Sequence, residues 1–187
     1  MPGFYTKQFS EDEIELFKAK REDKDKIFGY NNWDKEYATR WIGDPCEMVF
    51  KEFLERHKIP FQHWTTDDKL DDRDFTVGPV GNEIFEVDVK GVSAKSIPRE
   101  DYACNVVQKQ WNRIMKPGNI VNTLVFARFV LQTNMAVIVG AISKTDLREK
   151  AEYFPAGTER GVITLSTNNY EISISRLQSI EEYFGRW

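Results

Sequence analysis

The sequence predicts an α/β fold in which helices flank a central mixed β-sheet. Three observations support this class: a well-capped helix near Asp44, three strand candidates within residues 61–90, and two strongly β-prone segments after a further helix. Helices that alternate with groups of strands build a sheet covered by helices. The chain has 187 residues, of which 41% are hydrophobic and 30% charged, and this suits a single soluble domain spanning residues 1–187.

The N-terminal region predicts a helix at the periphery of the domain. Ser10 and Glu13 form a capping box, and Ile14 and Phe17 follow at helical spacing. A charge run without apolar periodicity comes next. We therefore interpret residues 1–37 as a peripheral N-terminal arm.

The predicted core spans residues 40–142. Asp44 suits a helix N-cap and Pro45 a first helical residue, and this helix ends before Pro60. Strands are predicted at residues 61–64, 74–77 and 84–90, and the turn-forming residues 78–82 pair the last two strands as a hairpin. A helix over residues 99–115 and strands over residues 121–131 and 136–142 complete the core. Residues 143–187 are interpreted as a small C-terminal appendage.

Polar side chains share one face of the strand at residues 84–90. Its apolar side chains point to the other face, which leaves Glu86, Asp88 and Lys90 together. The predicted hairpin brings Asp74 within reach of Asp88. Carboxylates ligate Mg²⁺ or Mn²⁺, and a neighbouring lysine can position a water or neutralise phosphate charge. The alternative is an exposed strand face that carries a cross-strand ion pair.

Two neighbouring acids compete with Asp74 for this role. Asp71 and Asp72 lie just before it, but Phe75 places Asp74 at the start of a strand. Glu86 is a further ligand or lies one step outside the site. His57 and His63 form no ligand pair by their spacing, and each is interpreted as a satisfied or exposed histidine.

This arrangement resembles the PD-(D/E)XK nuclease superfamily, which has the restriction-endonuclease-like fold. The first acid of the motif maps to Asp74, and the second acid and the lysine map to Asp88 and Lys90. The proline of the literal motif is absent, since Arg73 precedes Asp74. The resemblance covers residues 40–142 and implies a restriction-endonuclease-like core there.

The resemblance also implies further site residues. Residues 43–47 resemble the Gly-x-x-x-Glu start of the superfamily's first helix, where the glutamate, here Glu47, points toward the metal. The alternative for Glu47 is an acid favoured by the helix dipole. The implied metal ligands are Asp74, Asp88, Glu47 and the backbone carbonyl of Val89. Gln108 maps to a glutamine that lies beside the metal or the scissile phosphate in several branches, and the alternative is a surface glutamine.

The charge pattern bears on the partner. The net charge of −4 argues against a general nucleic-acid binder. An excess of acids up to Asp88 is nevertheless followed by an excess of bases, which are candidate phosphate contacts: Lys95, Arg99, Lys109, Arg113 and Lys116. The alternative is that both regions are solvated faces of a mixed-charge surface.

The sequence also argues against several classes. No apolar stretch approaches a membrane span, and the two cysteines form no spaced pair typical of structural zinc. No Gly-rich phosphate loop is present. We expect a cytoplasmic protein without a membrane partner.

The function expected from the resemblance is that of a metal-dependent phosphodiesterase, a DNA endonuclease that uses Mg²⁺ or Mn²⁺. DNA is favoured over RNA as the partner, and a homodimer is left open. The alternative function is a non-catalytic nucleic-acid-binding or assembly module with the same fold.

Overall fold

A computed structural model describes residues 4–27, 40–64, 73–160 and 163–185. Its strands are β1 (Tyr5–Gln8), β2 (Phe61–His63), β3 (Phe75–Val80), β4 (Glu83–Ala94), β5 (Ala103–Val107), β6 (Thr123–Val130), β7 (Met135–Ser143), β8 (Glu152–Phe154), β9 (Glu159–Arg160), β10 (Ile163–Thr164) and β11 (Asn169–Ser173). Its α-helices are α1 (Glu11–Ile27), α2 (Gly43–Arg56), α3 (Gln108–Met115), α4 (Lys144–Lys150) and α5 (Ile180–Phe184). Asp71, Asp72 and residues 28–37 of the predicted arm lie outside the described residues.

A six-stranded mixed sheet forms the centre of the fold, in the order β1-β7-β6-β4-β3-β2. β4 and β6 run parallel, and their neighbours pair antiparallel. β6 is buried along nearly its whole length, as expected for a central strand with an almost continuous apolar sequence. The predicted α/β class with a central mixed sheet is therefore confirmed.

Each face of the sheet packs against its own layer. One face of β4 buries Val87 and Val89 against α2, which contributes Phe50 and Phe53 to the same core. The other face packs against Ile114 of α3 and the residues around it. Successive side chains of β4 alternate between these layers, so Asp88 lies on the α3 side of the sheet.

A 3₁₀ turn, Arg40–Ile42, leads into α2 and holds the start of this helix against β4. Gly91 of β4 makes this approach close, because a Cβ atom there would lie 2.7 Å from the Cys46 Cβ and 3.4 Å from the Ile42 carbonyl oxygen. A glycine thus sets the depth at which α2 sits on the sheet.

The helix predicted over residues 99–115 is shorter than expected. It begins at Gln108, and Ala103–Val107 forms β5, which pairs antiparallel with β11. Cys104 and Val106 are buried at strand spacing, and β11 supplies the backbone partners. Trp111 of α3 stacks on Tyr170 with ring centroids 3.8 Å apart. The backbone partners come from a distant segment, so the local pattern did not reveal them.

Both ends of the chain contribute to the main core. β1 pairs with β7, and Phe9, Ile14 and Phe17, from the segment predicted as a peripheral arm, are buried. Ile180 and Phe184, from the predicted appendage, join the same core. Within the part of the chain that the structure describes, no helix is both long and apolar enough to cross a membrane.

Candidate active site

The site begins where the β3–β4 hairpin ends. The ladder pairs Phe75 with Val87, and Asp74 lies one residue beyond this pair. The Asp74 backbone N–H donates to the Val87 carbonyl at 2.8 Å, and Asp74 Oδ2 accepts from the Val89 backbone N–H at 2.7 Å. The carboxylate therefore takes the role that a backbone carbonyl would have in a longer ladder, and this fixes it beside residues 87–89 of β4.

Asp88 is held by two cationic side chains. Its side chain is 5% exposed, and Lys90 Nζ lies 2.7 Å from Oδ1 and 2.6 Å from Oδ2. Arg113 of α3 reaches the same carboxylate, with Nη2 at 3.3 Å from Oδ2. Asp88 and Lys90 are two residues apart on one strand, so they share a face. A buried carboxylate needs such partners, because an unpaired buried charge is costly.

Glu47 approaches the same region from the other layer. It lies near the start of α2, and its Oε2 is 3.2 Å from Nε2 of His63. The His63 ring stacks on Phe75 with centroids 4.3 Å apart and an interplanar angle of 6°. This contact agrees with the interpretation of His63 as a satisfied histidine. The place of His63 beside the site follows from the β2–β3 ladder, which pairs it with Phe75, one residue from Asp74.

The electrostatics of Asp74 show that the acids interact. Burial, followed by the negative charges of Glu47 and Asp88, raises the pKa of Asp74 well above its usual range. The Val89 N–H and the Lys90 ammonium act in the opposite direction. The carboxylates of Glu47, Asp74 and Asp88 therefore form one electrostatic cluster with Lys90.

Asp74→Asn is expected to stabilise the metal-free protein at neutral and alkaline pH. A carboxyl whose pKa is raised in the folded state imposes no cost below its unfolded pKa of about 3.9. It destabilises the fold as pH rises through the folded pKa. Asparagine keeps an acceptor for the Val89 N–H without the charge. We expect a gain above about 0.5 kcal/mol, the usual limit for substitutions remote from special features.

Urea unfolding in EDTA from about pH 4 to 9 measures this gain. The stability difference between variant and parent should grow with pH. Asp146→Asn is the matched control, since Asp146 is half-exposed and pairs with Lys150 at 3.1 Å on α4. A gain that is constant across the pH range would contradict the buried-charge interpretation of Asp74.

The other predicted ligands and phosphate contacts have different surroundings. Val89 packs its side chain into the core beside α2. Gln108 is joined to Asn168, whose Nδ2 donates to Gln108 Oε1 at 2.6 Å. Arg99 forms an exposed ion pair with Asp101. The remaining predicted phosphate contacts besides Arg113 are exposed: Lys95, Lys109 and Lys116.

Glu86 belongs to a neighbouring polar cluster. Its Oε2 accepts from Thr76 Oγ1 at 2.7 Å and lies 2.9 Å from Arg73 Nη1. The indole N–H of Trp64 donates to the same Thr76 hydroxyl at 3.0 Å. Thr76 lies two residues from Asp74, and Glu86 lies two residues from Asp88, so this cluster is next to the candidate site.

The donor chemistry of the site fits a hard divalent cation. Carboxylate oxygens are the ligands that Mg²⁺ and Mn²⁺ prefer. Burial is the main cause of the raised pKa of Asp74, and the negative charges of Glu47 and Asp88, which a cation would offset, add to it. Over the described residues, no group of three or more His, Cys, Asp or Glu side chains stands close enough to hold a metal ion as placed. The Asp88 oxygens are instead engaged by Lys90 and Arg113.

Comparison with protein-family models and with curated proteins found no match to this chain.

Proposed function

We propose that this protein is a metal-dependent phosphodiesterase, a DNA endonuclease of the PD-(D/E)XK type. The observation that supports the proposal is the cluster of Glu47, Asp74 and Asp88 with Lys90. Glu47 comes from α2, Asp74 directly precedes β3, and Asp88 and Lys90 lie on β4. Only the folded chain brings these residues together. Clusters of interacting acids with a perturbed pKa are typical of functional sites.

Each residue has a distinct role in this proposal. Asp74 and Asp88 would hold Mg²⁺ or Mn²⁺, and Glu47 and the Val89 carbonyl would be further ligands. The cation supplies Lewis-acid polarisation of the phosphate and acidifies a water molecule. The Lys90 side chain moves its ammonium group away from Asp88 and toward the phosphate of the substrate. There the ammonium stabilises the negative charge that develops on the phosphate oxygens. Arg113 adds a second cation on the same side.

The net reaction is hydrolysis of a phosphodiester. A water oxygen forms a new bond to phosphorus as one P–O ester bond breaks. The leaving oxygen takes up a proton and becomes a hydroxyl group, and the water loses a proton to the surrounding solvent or to a basic group of the site.

One observation favours the alternative of a non-catalytic nucleic-acid-binding or assembly module. Both oxygens of Asp88 are engaged by Lys90, and Arg113 adds a further contact, so the carboxylate is already compensated without a cation. In such a module the cluster would remain a closed ion-pair network and its acids would serve the fold alone.

Plasmid nicking distinguishes the two functions. The parent protein should convert supercoiled DNA to the nicked or linear form with Mn²⁺ and not with EDTA. Asp88→Asn should reduce the rate by at least about 100-fold. Asp146→Asn serves as the control and should keep the parent rate. DNA binding without cleavage in any divalent metal would favour the non-catalytic module, and equal cleavage by Asp88→Asn would show that the activity does not come from this site.

A further inference from the structure

An open groove of about 570 Å³ lies between α1, the 3₁₀ turn before α2, and α3. Of the described residues that line it, four are basic and none is acidic: Arg21, Arg40, Val107, Lys109, Gln110 and Arg113. The protein as a whole carries a net charge of −4. Among the described residues, the lining of this groove is therefore positively charged, in contrast to the net negative charge of the chain.

The groove and the candidate active site share Arg113. Arg113 lines the groove and also reaches Asp88 Oδ2 at 3.3 Å, and its side chain is 48% exposed. The ladder between β3 and β4 ends near Asp74, whereas β4 continues to Ala94. The 3₁₀ turn packs beside this continuation, next to Gly91. Arg113 and the 3₁₀ turn therefore place the groove close to the part of β4 that carries Asp88 and Lys90.

The side chains of the groove suit phosphates. Guanidinium groups match the geometry of phosphate oxygens, and a lysine ammonium is a compact partner for the same charge. Lys109 and Arg113 are four residues apart on α3, so they lie on one face of this helix. None of the described lining residues is aromatic, so none of these side chains offers a ring on which a base could stack.

We propose that this groove binds the phosphate backbone of a DNA strand next to the bond that is cut, and that Arg21 of α1 and Arg40 of the 3₁₀ turn belong to the substrate-binding surface. The inference rests on the proposed function and extends it to the substrate: a polynucleotide that continues past the cut on one side, held without reading its sequence. Arg21, Arg40 and Arg113 also have partners within the protein, so phosphates compete with those contacts.

The test is DNA binding in EDTA, which requires no cleavage. Arg21→Gln and Lys109→Gln should each weaken binding of a fluorescein-labelled oligonucleotide and lower the slope of log Kd against log salt by about 1. The loss should be equal for two unrelated sequences. Arg148→Gln is the control, because Arg148 is an exposed arginine on α4 with the same chemistry.

Each outcome decides the proposal. Unchanged affinity and salt slope in both groove variants would overturn it, as would a loss no larger than that of Arg148→Gln. Displacement of the DNA by poly-glutamate at equal charge concentration would also overturn it, because the groove would then recognise acidic chains in general. Weakened binding in a protein that cuts no DNA would leave the groove in place and reject the nuclease. If the protein cleaves DNA with Mn²⁺ but both groove variants bind DNA as the parent does, the groove proposal fails and the proposed nuclease function stands.

Discussion

Lys90→Ala should lower the rate of Mn²⁺-dependent DNA cleavage by at least about 100-fold without weakening the binding of divalent metal. The contacts of Lys90 are to Asp88, at 2.6 and 2.7 Å, and an ammonium group is a hydrogen-bond donor that cannot ligate a metal. Its removal takes a cation from the phosphate but leaves every carboxylate in place. Asp88→Asn should lose both cleavage and metal binding, because the site then lacks a carboxylate that it cannot replace.

The stability of Lys90→Ala should show that a bound metal can replace the lysine as the partner of Asp88. The Lys90 and Asp88 side chains are 10% and 5% exposed, and breaking a buried ion pair costs about 3–5 kcal/mol. Arg113 remains on Asp88 and softens this loss. We expect Lys90→Ala to be destabilised in EDTA and to recover more stability on addition of Mn²⁺ than the parent does.

Nicking assays, Mn²⁺ titration and thermal unfolding with and without Mn²⁺ measure these effects. Lys150→Ala is the matched control, since Lys150 forms an exposed ion pair with Asp146. Its removal should cost at most about 1 kcal/mol and leave cleavage unchanged. Full activity in Lys90→Ala would place the catalytic site elsewhere and remove the main support for a nuclease.

Gly91→Ala should destabilise the protein by about 1–3 kcal/mol, although it adds a single methyl group. The new Cβ would lie 2.7 Å from Cys46 Cβ and 2.8 Å from its Sγ, and Cys46 is fully buried. The start of α2 must then move away from β4. Glu47 follows Cys46 in the chain, so the same movement should also reduce cleavage.

A double-mutant cycle separates this clash from other effects. Cys46→Gly removes both clashing atoms, so the two changes together should cost less than the sum of the separate losses. Gly43→Ala is the control, because a Cβ there meets no atom within 4 Å and the position begins the same helix. Additive losses in urea unfolding would show that the Gly91 Cβ does not strain α2.

Local pattern was enough to predict the elements that hold the candidate site. The alternation in residues 84–90 and the turn-forming residues 78–82 predicted the hairpin of β3 and β4, because both signals lie within a short stretch of chain. The helix predicted near Asp44 appears as α2, but the predicted N-cap is wrong: α2 begins at Gly43, its N-cap is Ile42, and no side chain caps it. The positions of Asp74, Asp88 and Lys90 along these elements followed from the same alternation.

Features that depend on distant partners could not be predicted. β1 has four residues and pairs with β7, more than 120 residues away, so its own sequence says little about its state. Residues 104–114 place apolar side chains at spacings that fit a strand or a helix, and only the pairing with β11 decides between them. The contact between Arg113 and Asp88 likewise requires α3 to pack on β4.

The hydrogen bond from the Val89 N–H to the Asp74 carboxylate restricts which residues can replace Asp74. The acid proposed for the site is also the acceptor that completes the last rung of the hairpin. A side chain without an acceptor atom in this place would leave the Val89 N–H without this partner as well as remove the proposed ligand, whereas asparagine would remove only the charge. Substitutions that abolish the proposed catalysis but keep this hydrogen bond should therefore favour an amide at position 74 over an aliphatic residue.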